Sequence, residues 1–355
     1  MKQGKVVFLD YLRVVATMAI VVVHVSAASW ETASVTGVTW NVMNVYNSIV
    51  RWAVPIFVMI SGSLFLKREV SVKKLYTRNV LRMGIAYLSW SIFYCMVAIL
   101  GAWINHTDHG MSANTIIVRL MVGSYHMWFI PMIIGLYMSV PILKDIVRTR
   151  KTASYFLTLS FIFGLVVPQM VMMTNDFLGG EIASCVNVID SIISDMKMHL
   201  VLGYPFYFVL GHMLDTVDFS KPQRRIIYAM GLLGFGLTIV LNAVVSHKTN
   251  MRCETYSSPF MVNVLLQTVA VHTWMRYREY NRPKWNAFVA QLAKYSFGVY
   301  LVHVYVIDTL AYYGWSTVCF ESVLSVPVVS VPVILISYAI SAMIHRIPLL
   351  NKWIV

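Results

Sequence analysis

Charge is what this sequence lacks. Only 12% of its 355 residues are Asp, Glu, Lys or Arg, about half the share of an ordinary soluble domain. So sparse a charge set excludes a soluble globular protein of this length. Cysteine is scarce too: there are four, none in CxxC spacing, which leaves no zinc or iron–sulfur framework. No Walker loop, dinucleotide fingerprint, low-complexity tract or soluble-domain repeat occurs, and the G-x-S-x-G context of a serine-hydrolase elbow is missing. No polar block is long enough to fold by itself. A single integral membrane domain over residues 1–355 is therefore expected.

What fills the chain instead is hydrocarbon. Hydrophobic residues make up 58%, and apolar runs of about 20 residues, the length that crosses a bilayer, recur throughout. They predict an all-α, polytopic membrane protein of about ten spans: 7–30, 40–66, 75–104, 126–144, 152–174, 199–216, 225–246, 258–277, 294–313 and 322–346. Kinks are expected at Pro55, Pro131, Pro141, Pro168, Pro205, Pro327 and Pro332. Counted by side, 22 of the 28 Lys and Arg fall at the N-terminus and in alternate loops. Four fall in the other loops, and Arg13 and Arg51 lie within spans. This asymmetry predicts that both termini are cytoplasmic. The net charge of +13 is then a topology signal and a lipid-headgroup contact, and it calls for no nucleic-acid partner. The longest outer loop, around 175–198, carries Asp176, Glu181, Asp190 and Asp195 and is expected to fold over the outer mouth. Cys185 and Cys253 fall in outer loops and are candidates to pair.

The first span, FLDYLRVVATMAIVVVHVSAASW (8–30), is unusual. A basic start and the small-residue patch SAAS would suit a cleaved leader, but Asp10 and Arg13 interrupt the apolar stretch, so a retained helix is expected. Charges at bilayer depth cost about 2.5–3.5 kcal/mol each on insertion scales. On a helix, Arg13 and His24 are 11 residues apart, which returns to within about 20° of one face, some ~16 Å further along. Asp10 and Thr17 share that face. One reading pairs Asp10 with Arg13 and gives His24 a hydrogen bond inside the bundle. The other makes the stripe a site, because intramembrane ionisable groups commonly mark pathways.

Four stretches, in order, are similar to blocks of one known family. Arg13 to His24 after FLDYLR resembles the first helix of the membrane-bound acyltransferase family three. RWAVPIFVMISGSLFL (51–66) resembles its second helix, YHMWFIPMIIGLYMSVPIL (125–143) its middle block, and YSFGVYLVHVYVI (295–307) its late block. The nearest likeness is to the branch that includes the O-acetyltransferase of enterobacterial common antigen. The resemblance implies acyl transfer from cytoplasmic acetyl-CoA, with no metal, to a hydroxyl of a lipid-linked or exported surface glycan at a bacterial inner membrane. In one respect the chain departs from relatives that modify O-antigens. Where they carry a glutamate after the tryptophan of the middle block, this sequence has Ile133 or a neighbour.

The residues themselves suit that chemistry. An alcohol attacks only when its proton is removed, and histidine has the pKa for a general base near neutrality. His24 is the candidate, as base or as acyl carrier. Arg13 is the candidate to hold the donor through a fork of donors. Arg51 is expected either to pair with Asp308 or backbone carbonyls, or to stabilise the developing oxyanion or contact the donor tail. His126 and Trp128 are read as an interfacial belt or as the acceptor subsite. Tyr300 and His303 (i, i+3) line one face of the ninth span, and Asp10 completes the candidate binding set. His199 and His212 lean structural, and Ser61 beside Gly62 reads as a close-packing position. A transporter or flippase with a His/Asp308 proton relay is the alternative, though no internal repeat supports it. A non-catalytic scaffold for glycan assembly ranks last. A homo-oligomer is left open.

Overall fold

The computed structural model describes residues 4–30, 33–69, 71–104, 112–198 and 201–355. His199 and the start of the sixth expected span lie outside them. Seventeen α-helices follow one another: α1 Gly4–Ala27, α2 Val38–Ser48, α3 Ala53–Phe65, α4 Val72–Lys74, α5 Leu81–Ile104, α6 Ala113–Val122, α7 Phe129–Met138, α8 Val140–Ile146, α9 Arg150–Phe161, α10 Val167–Phe177, α11 Gly180–Asp195, α12 Tyr204–Thr216, α13 Lys221–Thr249, α14 Val262–Arg276, α15 Pro283–Tyr312, α16 Ser322–His345 and α17 Pro348–Trp353. No strand occurs among the described residues.

Six stretches are long and apolar enough to cross a membrane, and the α6–α7 pair, bent by 50°, makes a seventh if taken as one span. The other expected spans, 199–216, 258–277 and 294–313, coincide with α12, α14 and α15. The first two, of 13 and 15 residues, are short, and α15, though 30 residues long, is more polar. Side chains start these helices as capping rules require. Thr149 caps α9, Ser112 caps α6, and Ser220 with Gln223 forms a reciprocal box at the start of α13.

The prolines behave differently from the expected kinks. Pro327 and Pro332 lie inside α16, and Pro168 lies just after a π-turn, Ile162–Val166, inside the continuous helical run Arg150–Phe177. Pro141 and Pro205 stand in the first turn of α8 and α12, where the missing N–H costs nothing. Pro55 and Pro131 are the third residues of α3 and α7. These four therefore mark places where a span restarts.

Burial separates centre from rim. The apolar windows of α1 and of α2–α3 are 50% and 61% buried, against 22% for α5, α9–α10 and α13, whose apolar faces are left for lipid. Helix α1 belongs to both large core clusters. Phe8, Leu12, Ala16 and Ile20 pack with α3 and α12 residues such as Ile56, Met59, Tyr207 and Phe208. Val21 and Val25 pack with Trp40 of α2 and with Val299 and Val302 of α15. Helices α3 and α12 cross closely: a Cβ on Gly62 would stand 1.8 Å from the Phe208 carbonyl oxygen, and one on Gly211 2.3 Å from that of Met59. Small residues allow this approach, and it is what holds membrane helices together where water-driven burial is absent.

The segment expected as a long outer loop is the helical hairpin α10–α11. It docks through Asp176, whose carboxylate accepts from the Tyr256 hydroxyl at 2.7 Å and whose carbonyl accepts from Lys248 Nζ at 2.6 Å. Cys185 and Cys253 do not pair; both are free. Cys185 is on an exposed face of α11, whereas Cys253 packs beside Val245 and Tyr256.

The glycine crossing yields a direct test. Gly62→Ala is expected to lower the thermal unfolding midpoint in detergent, at a cost of about 1–3 kcal/mol from overpacking. Gly236→Ala, where a Cβ meets open space, is expected to leave it unchanged or slightly raised.

Candidate active site

One cavity of about 420 Å³ runs along α1 and is walled by α1, the α2–α3 junction, α5, α7 and α15. Arg13, Arg82, Ser61 and Tyr137 line it, as do His24, Arg51, His126 and Trp128. Arg13 and His24 are separated by about three turns of one helix, so the hollow follows α1 for about 16 Å. Most of the wall between is apolar, from Ile20, Val23, Val54, Phe57, Ile60 and Ile133. Ile133 is part of this wall, and none of the lining residues is acidic.

The polar stripe of α1 resolves into parts. Arg13 and His24 face the cavity, and the Arg13 side chain keeps 31% of its surface accessible. Asp10 is at 4.0 Å from the Arg13 guanidinium, outside the cavity wall, so it acts as a loose counter-ion to Arg13. Thr17 turns into the packing and donates to the Arg13 carbonyl at 2.8 Å.

Three imidazoles converge at the other end. His24 and His303 have ring centroids 5.0 Å apart, His126 and His303 5.2 Å, and His24 and His126 6.3 Å. Their hydrogen bonds differ. His303 Nδ1 lies 2.7 Å from the Tyr300 carbonyl oxygen. A carbonyl only accepts, so Nδ1 carries the proton and Nε2 carries the lone pair. That Nε2 is buried without a partner. His126 Nδ1 meets Ser124 Oγ at 3.1 Å, and its Nε2 is buried with the Leu301 carbonyl as its polar neighbour, short of good hydrogen-bond geometry. His24 makes no side-chain hydrogen bond among the described residues. Unpaired buried nitrogens are costly, and here they gather around one imidazole that remains accessible from the cavity. No group of His, Cys, Asp or Glu among the described residues is arranged to hold a metal ion.

The local fold explains why His126 reaches this point. The α6–α7 pair breaks at Gly123, whose φ of +70° suits glycine alone, and continues through a single 3₁₀ turn, Tyr125–Trp128. Irregular backbone at membrane depth is tolerated only inside protein or beside a wet cavity. Here the Tyr300 hydroxyl donates to the freed His126 carbonyl at 2.6 Å. Trp128 follows, 45% exposed, with Tyr204 5.9 Å away between ring centroids.

Arg51 sits in the break between α2 and α3. Its Nε donates to Asn47 Oδ1 at 2.5 Å, and its Nη2 to Glu254 Oε2 at 3.0 Å. The expected partner Asp308 is exposed on α15 instead, and Glu254, 203 residues away in sequence, takes its place. Asn47 also donates to Ser26 Oγ at 2.9 Å and to the Val23 carbonyl at 3.0 Å, tying Arg51 to the turn of α1 that holds His24.

Several participants were not visible as site residues. Arg82 reads in sequence as one more positive charge of a loop, yet it lines the cavity, and its guanidinium donates to the Val355 carbonyl. Glu254 and Asn47 carry no periodic signal. Away from the cavity, Asp215 is buried between Lys67 at 2.8 Å and His272 at 3.4 Å, while His212 lies on the same helix. Ser61 does line the cavity, and its neighbour Gly62 makes the close crossing.

A family model described as an acyltransferase domain, that of acyltransferase family three, matches residues 6–342. Comparison with curated proteins gave no match, and neither did comparison with solved structures. The matched segment contains all of the cavity-lining residues, and the chain belongs to the acyltransferase-3 family.

Proposed function

We propose that the chain is an O-acyltransferase of a bacterial inner membrane, with both termini cytoplasmic, that moves an acyl group, acetyl in the simplest case, from acyl-CoA to a hydroxyl of a lipid-linked or exported surface glycan. The single observation that carries this reading is that Arg13 and His24 open into one cavity long enough to link them.

Each residue then has a task that its surroundings suit. Arg13 and Arg82 present guanidinium forks at one end, where the phosphates and carbonyls of a CoA donor find charge-assisted partners. The apolar stretch between suits an extended acyl-bearing arm. At the far end His24 takes the proton of the acceptor hydroxyl as its oxygen attacks the thioester carbonyl. The carbon–sulfur bond breaks, and His24 returns the proton to the departing thiolate. A positioned base of this kind contributes about 10²–10⁴-fold in rate. His303, with its proton fixed on Nδ1, turns a lone pair toward the imidazole cluster and favours the protonated His24 formed during attack. Trp128 offers a flat apolar face on which a sugar ring can stack.

Mass spectrometry of surface glycans from cells with and without the protein is expected to show an acyl mass gained only in its presence. His24→Ala is expected to abolish that gain, a loss of about 10²–10⁴-fold in transfer, while insertion into the membrane is unchanged. Arg13→Ala is expected to raise KM for acetyl-CoA more than it lowers kcat, measured with purified protein in nanodiscs. Wild-type transfer in both variants would overturn these roles. His303→Asn, which keeps a donor near the Tyr300 carbonyl but no basic nitrogen, is expected to lower kcat with little change in KM for the donor.

A further inference from the structure

We infer that an anion subsite adjoins the His24 end of the cavity, in which Arg51 of the cavity wall and Arg252 just outside it receive an oxyanion of the acceptor, a sugar carboxylate or a phosphate, and Glu254 is the exchangeable counter-ion that holds the place. The inference rests on the acyl-transfer reading for what the ligand is for, but not for whether the anion binds.

Four observations carry it. First, the cavity wall contains three arginines and no carboxylate, so the hollow as a whole attracts negative charge in a low-dielectric setting. Second, two guanidiniums converge on a single carboxylate. Arg51 Nη2 is 3.0 Å from Glu254 Oε2, and Arg252 Nη2 is 2.5 Å from Oε1. This two-sided fork is the geometry that also grips a carboxylate or phosphate ligand. Third, the two arginines are held from behind, whereas the glutamate is not. Arg51 is fixed through Nε by Asn47, and Arg252 lies over the Trp30 ring at 5.1 Å. Glu254 sits in the segment between α13 and α14, 34% exposed, and no other side chain holds its carboxylate. Fourth, Arg51 Nη1 has no hydrogen-bond partner among the described residues, although Arg51 lines the cavity. Both N–H groups of Nη1 are therefore left over after Glu254 is satisfied.

The surroundings agree. Ser257 and Pro259, just beyond Glu254 in the same segment, line the cavity wall, so the glutamate can swing away while the backbone stays against the site. An acceptor whose anion displaces Glu254 would bring a nearby hydroxyl toward His24, since Asn47 ties Arg51 to that turn of α1. The acceptor class is then an acidic sugar or a sugar linked through phosphate, and a neutral glycan would leave the two arginines on Glu254.

The test uses the full chain in lipid nanodiscs without any acyl donor, titrated with glucuronate, glucose 1-phosphate and glucose by thermophoresis. Wild type is expected to bind the charged sugars about tenfold or more tightly than glucose, and less so as salt is raised. A preference for glucuronate assigns the carboxylate source, and a preference for glucose 1-phosphate the phosphate source. Glu254→Gln removes the competitor and is expected to tighten charged-sugar binding several-fold while glucose is unaffected; Arg252→Gln is expected to weaken it. If Glu254→Gln does not fold, the Arg252→Gln arm alone decides. No preference for the charged probes in wild type, whether all three bind or none does, overturns the inference. So does weaker charged-sugar binding in a Glu254→Gln protein that melts like wild type. Because no donor is present, anion binding with failed glycan acylation would sink the transfer reading and leave this subsite standing.

Discussion

A guanidinium cannot shed its charge and cannot rest in hydrocarbon. Arg13, Arg51 and Arg82 all face one hollow inside a bundle whose outer helices are apolar, and most of the architecture answers to that fact. The bundle needs a polar interior, so its central helices cannot pack as a solid rod. Helix α1 divides its apolar side chains between two core clusters and leaves its charged face to the space between them. The desolvation cost of the arginines, several kcal/mol for an ion sealed in dry protein, is avoided by the opening itself and by Glu254 and Asp10.

The same hollow determines what the histidines are. A buried ring nitrogen without a partner is costly. Here His303 uses Nδ1 and leaves Nε2 without a partner. The three rings lie within 6.3 Å of one another between centroids, and His24 and His126 line the cavity. The rigid frame comes from elsewhere, chiefly from the glycine-to-carbonyl crossing of α3 and α12. The tight crossing and the open cavity thus fall at different places in the bundle.

Much of this was legible in the sequence, and the reasons are physical. Apolar run length predicts helices at all the expected span positions, because hydrocarbon thickness sets one length scale. The 11-residue spacing of Arg13 and His24 predicts one face, because helix geometry is local. Thr17, placed on that face, turns inward instead, since a hydroxyl can be satisfied by the carbonyl four residues back. Partners across the fold were beyond reach. Glu254 meets Arg51 over 203 residues, and nothing in the RCET stretch marks it out, so Asp308 was the natural but mistaken choice. Prolines read as kinks prove mostly to be helix starts, a distinction that depends on which N–H the neighbouring turn would have used. The number of membrane crossings is the least legible feature, because α12, α14 and α15 are enclosed by other helices and need not look like spans.

The turn at Gly123 to Trp128 carries a consequence for biogenesis. Its His126 carbonyl has no local partner until the Tyr300 hydroxyl reaches it, and that tyrosine follows 174 residues later in the chain. An isolated α6–α7 hairpin is therefore poorly matched to lipid when it leaves the translocon. It completes its seating only after α15 arrives, which makes the late helix a chaperone in cis for the early one.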